Sequence, residues 1–259
     1  MNWLRLFPDD DYRFQMGLRP GDAAAFFVGA QDDSLLALRS QLVNEAGEEY
    51  VIESTSDAAM EAVEMLSTWT SRPLENVMSA ARTCGADFLV LEPDASGILR
   101  VAAGAVCFPS SWSLREKVGL RVSEVHAPVP GLNADMERRI DTFLERLAPG
   151  TAWERENWGL SADDILDHHP RRTVPPLTEH ASLATTWLRL ERQLFLRLNH
   201  GVLFGIRVST HRLDELAAND GVAPRLARAV TTMPTAVAEY KGLTAARASL
   251  SAQLTAAAT

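Results

Sequence analysis

The stretch that decides the fold is "TWLRLERQLFLRL" (residues 186–198). Two residues later a second stretch begins, "GVLFGIRVSTHRL" (residues 201–213). The first segment alternates leucine with polar residues, as a strand does, but its apolar residues also fit one face of a helix. The second segment is rich in Val, Ile and Phe, which is typical of a strand. Because the short turn "NHG" between them favours a hairpin, we predict two antiparallel strands.

The region before this hairpin predicts three more strands and a long helix. "TAWERENWGL" (151–160) indicates a strand, and "NADMERRIDTFLERLAPG" (133–150) indicates a helix capped by Asn133. "DFLVLEPDASGILRVAAGAVCFP" (87–109) indicates two strands around the turn "PDASG". Two strands, then helices, then three strands predict an α+β fold with an antiparallel sheet covered by helices.

Helices are predicted on both sides of this core. "DDSLLALRSQLVNE" (32–45) reads as a helix capped by Asp33, and "SDAAMEAVEMLSTWTSRP" (56–73) as one that stops before Pro73. "MPTAVAEYKGLTAARASLSAQL" (233–254) indicates one or two surface helices, and we expect "TAAAT" (255–259) to fray.

Composition limits the classes of function. With 46% hydrophobic and 23% charged residues, the chain is an ordinary globular protein. A net charge of -9 disfavours binding to nucleic acid or to an anionic membrane. No apolar run could span a bilayer and the start lacks a signal peptide, so we predict a cytoplasmic protein whose Cys84 and Cys107 are free thiols. The common nucleotide-binding and hydrolase motifs are absent from the sequence.

His126, in "SEVHAPVPG" (123–131), is the first candidate for chemistry. A neutral imidazole is the commonest metal ligand in proteins and also binds haem iron. Pro128 and Pro130 would stiffen the backbone beyond it. The alternative, which the spacing alone favours, is a helix-end histidine that bonds the last carbonyl groups of its helix.

The strand "WERENW" (153–158) places Arg155 and Asn157 on one face, and Trp158 on the other. A cation and an amide together could hydrogen-bond a bound anion or an iron-bound oxygen; the alternative is a solvated edge strand. Arg192 interrupts an apolar strand face, so it needs a carboxylate or propionate partner, and Glu191 points the other way.

Three further features have a functional and a structural interpretation. Arg207 shares a strand face with Gly205, which would leave room for a ligand, or is simply an outward-facing arginine. The acidic and histidine residues of "DDILDHHP" (163–170) invite a metal site, but adjacent histidines diverge, so a surface loop is favoured. Cys107 could be a thiolate ligand to haem, although a buried small apolar residue is the better interpretation.

Seven stretches together resemble one known family, the haem-dependent oxidative N-demethylases. In chain order they are "YRFQMGLRP", "GAVCFPSSWSLREKVGL", "SEVHAPVPG", "RENW", "LERQLFLRL", "LFGIRV" and "MPTAVAEYKGL". Each is weak alone, but their order extends the resemblance over nearly the whole chain.

The resemblance implies a single haem-binding domain over residues 1–259. Its PAS-like core would run over about 86–213, with a helical N-terminal extension (1–85) and a helical C-terminal tail (214–259). The cofactor would be haem b, with His126 as the axial iron ligand. The other residues that this interpretation assigns are catalytic Arg155, Asn157 and Glu191, and cofactor-binding Arg192, Arg207 and Trp158.

The resemblance also implies an oxidoreductase that activates O2 to oxidise an amine, as an oxidative N-demethylase does. Two cysteines are too few for a four-cysteine iron-sulfur cluster, so electrons would come through flavin and iron-sulfur on a partner protein. The alternatives are N-oxygenation of a primary amine or amino-acid side chain and, less favoured because no output segment is visible, a haem gas sensor. The third alternative is an interaction domain that binds no haem.

Overall fold

The structure, a computed structural model, describes residues 1–28 and 32–258. These residues form one seven-stranded sheet in which every pairing is antiparallel, in the order β1-β5-β6-β7-β3-β4-β2. The strands are β1 (Arg19–Pro20), β2 (Val51–Ile52), β3 (Asp87–Pro93), β4 (Leu99–Ala105), β5 (Ala152–Ser161), β6 (Trp187–Arg197) and β7 (Val202–Arg212).

Helices precede, interrupt and follow the strands, so the predicted α+β fold with helices at both ends is confirmed. They are α1 (Trp3–Leu6), α2 (Ala23–Val28), α3 (Asp33–Tyr50), α4 (Asp57–Thr70), α5 (Val77–Thr83), α6 (Val122–His126), α7 (Leu132–Arg146), α8 (Leu213–Ala217), α9 (Val222–Thr232), α10 (Thr235–Tyr240) and α11 (Arg247–Ala256). Among these helices, none has the length and hydropathy that crossing a lipid bilayer requires.

The predicted hairpin is confirmed. β6 and β7 pair along their whole length, and the Leu198 N–H donates to the Gly201 carbonyl at 2.9 Å across the turn. Glycine is needed at position 201, because a Cβ there would lie 2.2 Å from the Leu91 carbonyl oxygen. The turn therefore packs directly against β3, which fixes the hairpin in the centre of the sheet.

The two faces of the sheet are covered differently. We call one face the α7 face, because Phe143 of α7 contacts Trp153 and Phe195 on it. The opposite face carries the main core: the helices α2 to α5 bury the Phe88 end of the sheet, and α8 to α11 bury the Leu190 end. The alternation of β5, β6 and β7 thus separates a well-covered face from one with half-buried side chains.

Two predictions about the helices are wrong. Asp32, not Asp33, caps α3, because its carboxylate accepts the Ser34 N–H at 2.9 Å. Asn133 does not cap α7: Gly131 occupies the N-cap in a left-handed turn, and the Asn133 amide donates to the Ser123 carbonyl instead.

The C-terminal tail forms two helices, as predicted, and α11 is a surface helix: Ala248 and Ala252 are exposed, while Leu250 and Leu254 are fully buried and attach its inner face to the core. We expected residues 255–259 to fray. Thr259 lies outside the described residues, so only residues 255–258 can be compared with this prediction.

Candidate functional site

His126 ends the short helix α6, which lies over the α7 face through the half-buried side chains of Val122 and Val125. The imidazole hydrogen-bonds no described residue, and its Nδ1 is buried without a partner. Burial, together with the smaller effect of the charges of Arg155 and Lys117, lowers the pKa of His126 to about 4. The ring is therefore neutral at pH 7 and free to bind through a nitrogen lone pair.

The alternative role for His126 does not fit this geometry. A helix-end histidine would hydrogen-bond the last carbonyl groups of its own helix, whereas this imidazole makes no such bond within the described chain. A buried ring nitrogen without a partner is uncommon and calls for an explanation such as a ligand or an ion.

Arg155, Asn157 and Glu191 lie together on the α7 face. The register of β5 with β6 sets Asn157 opposite Glu191, and Arg155 opposite Gln193. All four side chains alternate to the same side of the sheet, the side on which α6 and α7 pack. The predicted sharing of one face by Arg155 and Asn157 is confirmed.

The Glu191 carboxylate is held by three neutral donors. Ser110 Oγ donates to it at 2.5 Å, Gln193 Nε2 at 2.9 Å and Asn157 Nδ2 at 3.2 Å. These donors fix the orientation of the carboxylate without neutralising its charge. Glu191 therefore presents a fixed negative charge on the α7 face.

A buried arginine supports this arrangement from β6. Arg189 is 4% exposed, and its Nε donates to Ser110 Oγ at 2.9 Å, which leaves the Ser110 hydroxyl proton for Glu191. The remaining guanidinium protons go to the carbonyl groups of Phe108, Pro109, Ile165 and Leu166. Arg189 thus fixes the loop that carries Ser110 and, through it, Glu191.

Two cations complete the polar part of the site. The Arg155 guanidinium makes no hydrogen bond or ion pair with the described residues, and its Nε is buried. The Lys241 ammonium donates to the Trp158 carbonyl at 2.7 Å. Burial lowers the pKa of Lys241 to about 8; the charge of Glu191 opposes this shift and that of Arg155 adds to it.

Apolar side chains surround these groups, and many are only half-buried. On the strands they include Trp153, Phe195, Phe204 and Val208, and on α7 they include Phe143. A Cβ at Gly159, further along the same face of β5, would meet nothing within 4 Å. A largely apolar surface with a few converging polar groups is the usual form of a cofactor or ligand site.

The other predicted cofactor-binding residues lie on the opposite face. Arg192 pairs with Glu154 at 3.0 Å, so it has the carboxylate partner that its position required. Arg207 donates to the carbonyl groups of Phe26 and Phe27. The Trp158 ring packs against Phe7 and Tyr12. These three side chains do not come together with His126.

The expected space beside Arg207 is filled by protein, which corrects that interpretation. A Cβ at Gly205 would lie 2.7 Å from the Phe26 ring and 2.8 Å from the Phe27 ring. The glycine therefore makes room for the aromatic side chains of α2 and not for a ligand.

The prediction of a surface loop for "DDILDHHP" is also wrong. Asp167, His168 and His169 are at most 5% exposed. Asp167 accepts the Tyr50 hydroxyl at 2.8 Å, and His168 pairs with Asp163 at 2.9 Å, so these contacts build the core. Cys107 is a free, fully buried thiol, as predicted, and burial raises its pKa to about 12.

Four contributors were not predicted: Ser110, Arg189, Gln193 and Lys241. Gln193 lies two residues from Glu191 on the predicted strand, so the alternation could have identified it. Ser110 and Lys241 come from parts of the chain that are distant in sequence. The only sequence signal for them is that they lie within the stretches "GAVCFPSSWSL" and "EYKGL".

These features fit a haem. Haem is a flat apolar group that takes one or two iron ligands from the protein, and a neutral histidine at the edge of an apolar face suits it. Residues 56–251, which include all the site residues named above, match the family described as haem-dependent oxidative N-demethylase, alpha subunit-like. The match spans more than half of the chain, and the chain therefore belongs to the haem-dependent oxidative N-demethylase, alpha subunit-like family.

Proposed function

We propose that this protein binds haem b on the α7 face, with His126 as the protein ligand to iron, and that it uses O2 to oxidise an amine. The observation that carries the proposal is the neutral imidazole with a buried, unpartnered nitrogen over a half-buried apolar face. The family supplies the haem dependence. The core contains two strands, then helices, then three strands, and this order agrees with a PAS-like haem domain.

The protein side chains have separable roles in this proposal. Bound haem would supply the redox chemistry with O2. Arg155 presents N–H donors that lack partners, so it is suited to hydrogen-bond an oxygen atom in the site. Glu191 offers a carboxylate that would attract an ammonium group, and Asn157 keeps that carboxylate in position.

Electrons would come from outside this chain. The two cysteines are buried, and Cys107 is a protonated thiol at pH 7, so neither suits an iron-sulfur centre. The words "alpha subunit-like" in the family description support the existence of a second protein, and we propose that this partner carries the flavin and iron-sulfur groups.

The test is reconstitution with haem followed by spectroscopy. We expect the wild-type chain to bind one haem with the absorption spectrum of histidine-ligated iron, and His126→Ala to lose that spectrum and at least about tenfold in haem affinity. His180→Ala, which removes an exposed histidine, and Cys107→Ser are the controls and should bind haem normally. An unchanged spectrum in His126→Ala would remove His126 as the ligand.

Turnover with amines, O2 and a chemical reductant then tests the activity. Aldehyde release indicates N-dealkylation, whereas a hydroxylamine or nitro product indicates N-oxygenation. A haem-loaded protein that binds O2 but consumes no amine across a broad panel would indicate a sensor.

A further inference from the structure

A cavity of about 520 Å³ opens at one side of the α7 face, between α7, the start of β5 and the segment before β1. Five apolar side chains line it: Met16, Leu18, Phe143, Leu147 and Trp153. The rings of Phe143 and Trp153 meet edge to face, with centroids 6.4 Å apart, and both belong to the apolar surface of the candidate site. The cavity therefore adjoins the candidate site without sharing its polar residues.

Three arginines of α7 line the same cavity, which we call the arginine cavity. Arg138, Arg139 and Arg146 are exposed, and their guanidinium groups make no hydrogen bond or ion pair within residues 1–28 and 32–258. Thr142, which lies between them along the helix, is the other described residue of the lining. The cavity therefore combines apolar side chains with three positive charges that the described chain does not pair.

The acidic residues of α7 do not neutralise these arginines. Glu137, Asp141 and Glu145 follow one another at intervals of four residues, so they form a separate strip along the helix, and none of them lines the cavity. They make no ion pair with the arginines of α7. This strip would repel a negatively charged partner, which confines such a partner to the cavity side of the helix.

The lining indicates a protein partner of negative charge. Arginine, methionine and aromatic residues are enriched at protein interfaces, and the strongest contacts there are bulky side chains seated in pockets. Since the chain has a net charge of -9, its overall field repels an acidic protein, whereas the arginine cavity attracts one locally. Charge would therefore direct an acidic partner to this side of the molecule and fix its orientation.

We infer that the arginine cavity docks an acidic segment of a partner protein. One bulky apolar side chain of that segment fills the cavity, and its carboxylates pair with Arg138, Arg139 and Arg146. The inference rests on the proposed function for the existence of a partner, and it adds the docking surface and the charge of that partner. A protein docked there covers Phe143 and Trp153, at the edge of the surface on which haem is proposed to bind.

The probe is a short helical peptide based on alanine, in which glutamates surround one tryptophan. Calorimetry at about 0.1 M salt, where the Debye length is about 10 Å, measures its binding to the full-length chain with and without haem. The peptide should bind, and a version with serine in place of tryptophan should bind at least about tenfold more weakly. A version with lysines in place of the glutamates should not displace it.

Thr142→Glu tests the cavity directly. The added carboxylate lies four residues from both Arg138 and Arg146, so it pairs with them in place of the partner's carboxylates. Peptide binding should weaken at least about tenfold, while the far-UV circular dichroism should stay unchanged because glutamate is a good helix former. Ala134→Glu is the matched control: it adds the same charge at an exposed position of α7 outside the cavity, and it should weaken binding by less than about threefold.

A pair of double variants tests the arginines themselves. Arg138→Gln/Arg146→Gln should weaken peptide binding at least about tenfold, because two charge-assisted contacts are lost. Arg72→Gln/Arg115→Gln removes two exposed arginines outside the cavity and the same net charge, so it should weaken binding by less than about threefold.

Each of four results would overturn the inference. They are no binding of the glutamate peptide, equal binding of the serine version, equal losses in Thr142→Glu and Ala134→Glu, and a wild-type dimer that Thr142→Glu converts to a monomer in size-exclusion chromatography. The second result assigns the arginine cavity to a free anion, and the last assigns it to a second copy of the chain. A chain that takes up no haem refutes the proposed function, and the haem-free calorimetry still decides the docking surface.

Discussion

Asp87→Ala should be among the most damaging single substitutions in the chain. Asp87 is 1% exposed and accepts Arg39 Nη1 at 2.5 Å, the Cys107 N–H at 2.8 Å and the Phe108 N–H at 2.9 Å. Arg39 is itself fully buried. Removing the carboxylate therefore leaves a cation and two backbone donors in the core without their acceptor.

The expected loss in the free energy of unfolding is about 3–5 kcal/mol, the usual cost of breaking a buried ion pair from one side. That is a large share of the roughly 5–15 kcal/mol that stabilises a typical domain. Most of this loss arises from the uncompensated charge on Arg39, so it should depend on that cation being present. Arg13→Ala, which breaks the exposed pair with Asp10, should cost less than about 1 kcal/mol.

Urea unfolding, followed by tryptophan fluorescence, measures these values. In an Arg39→Met background the cation is gone, so Asp87→Ala should cost at least about 2 kcal/mol less than it does in the wild type, as a double-mutant cycle reveals. A cost below about 1 kcal/mol for the single variant, or additive effects in the cycle, would refute the reasoning.

Three further predictions concern packing and charge. Gly205→Ala should lower the free energy of unfolding by about 1–3 kcal/mol, because its methyl group meets two rings of α2, whereas Gly159→Ala, which enters open space, should change it by less than about 0.5 kcal/mol; urea unfolding checks both. Leu250→Ala should cost about 2–5 kcal/mol in the same assay, and a cost typical of a surface residue would contradict the burial of this leucine. Lys241 has a pKa of about 8 in the folded state against its ordinary 10.5, so the unfolded chain binds more protons between these values. The stability of the wild type relative to Lys241→Met should therefore rise from pH 8 to pH 10.5, and a fall over that range would contradict the shift.

The sequence was sufficient for the main strands because their patterns are strong. The alternation in residues 186–198, with the short turn after it, identified β6 and β7, and the turn at 93–97 separated β3 from β4. The two-residue strands β1 and β2 carry no such pattern and exist only through their pairing with β5 and β4. The tail was predicted as a surface helix because α11 is rich in Ala and Ser, and its exposed face agrees, but the pattern did not show how completely its two leucines are buried.

The site was predictable only where one strand contains it. Alternation placed Arg155 with Asn157, but the pairing of Asn157 with Glu191 depends on the register between β5 and β6, which tertiary structure sets. Ser110 and Lys241 reach the site from loops and helices distant in sequence. Arg207 was misjudged because the pattern shows space beside a glycine but not what fills it.

Both ends of the described chain pack together over the Leu190 end of the sheet. Phe7 packs in one cluster with Leu250 and Leu254, and the Tyr12 N–H donates to Thr232 Oγ1 at 2.8 Å. A ribosome makes the strands of the site well before it makes α11, so the nascent chain holds a nearly complete sheet with an uncovered apolar end. That apolar surface stays exposed until residue 254 emerges, so the partly made chain is prone to aggregate during synthesis.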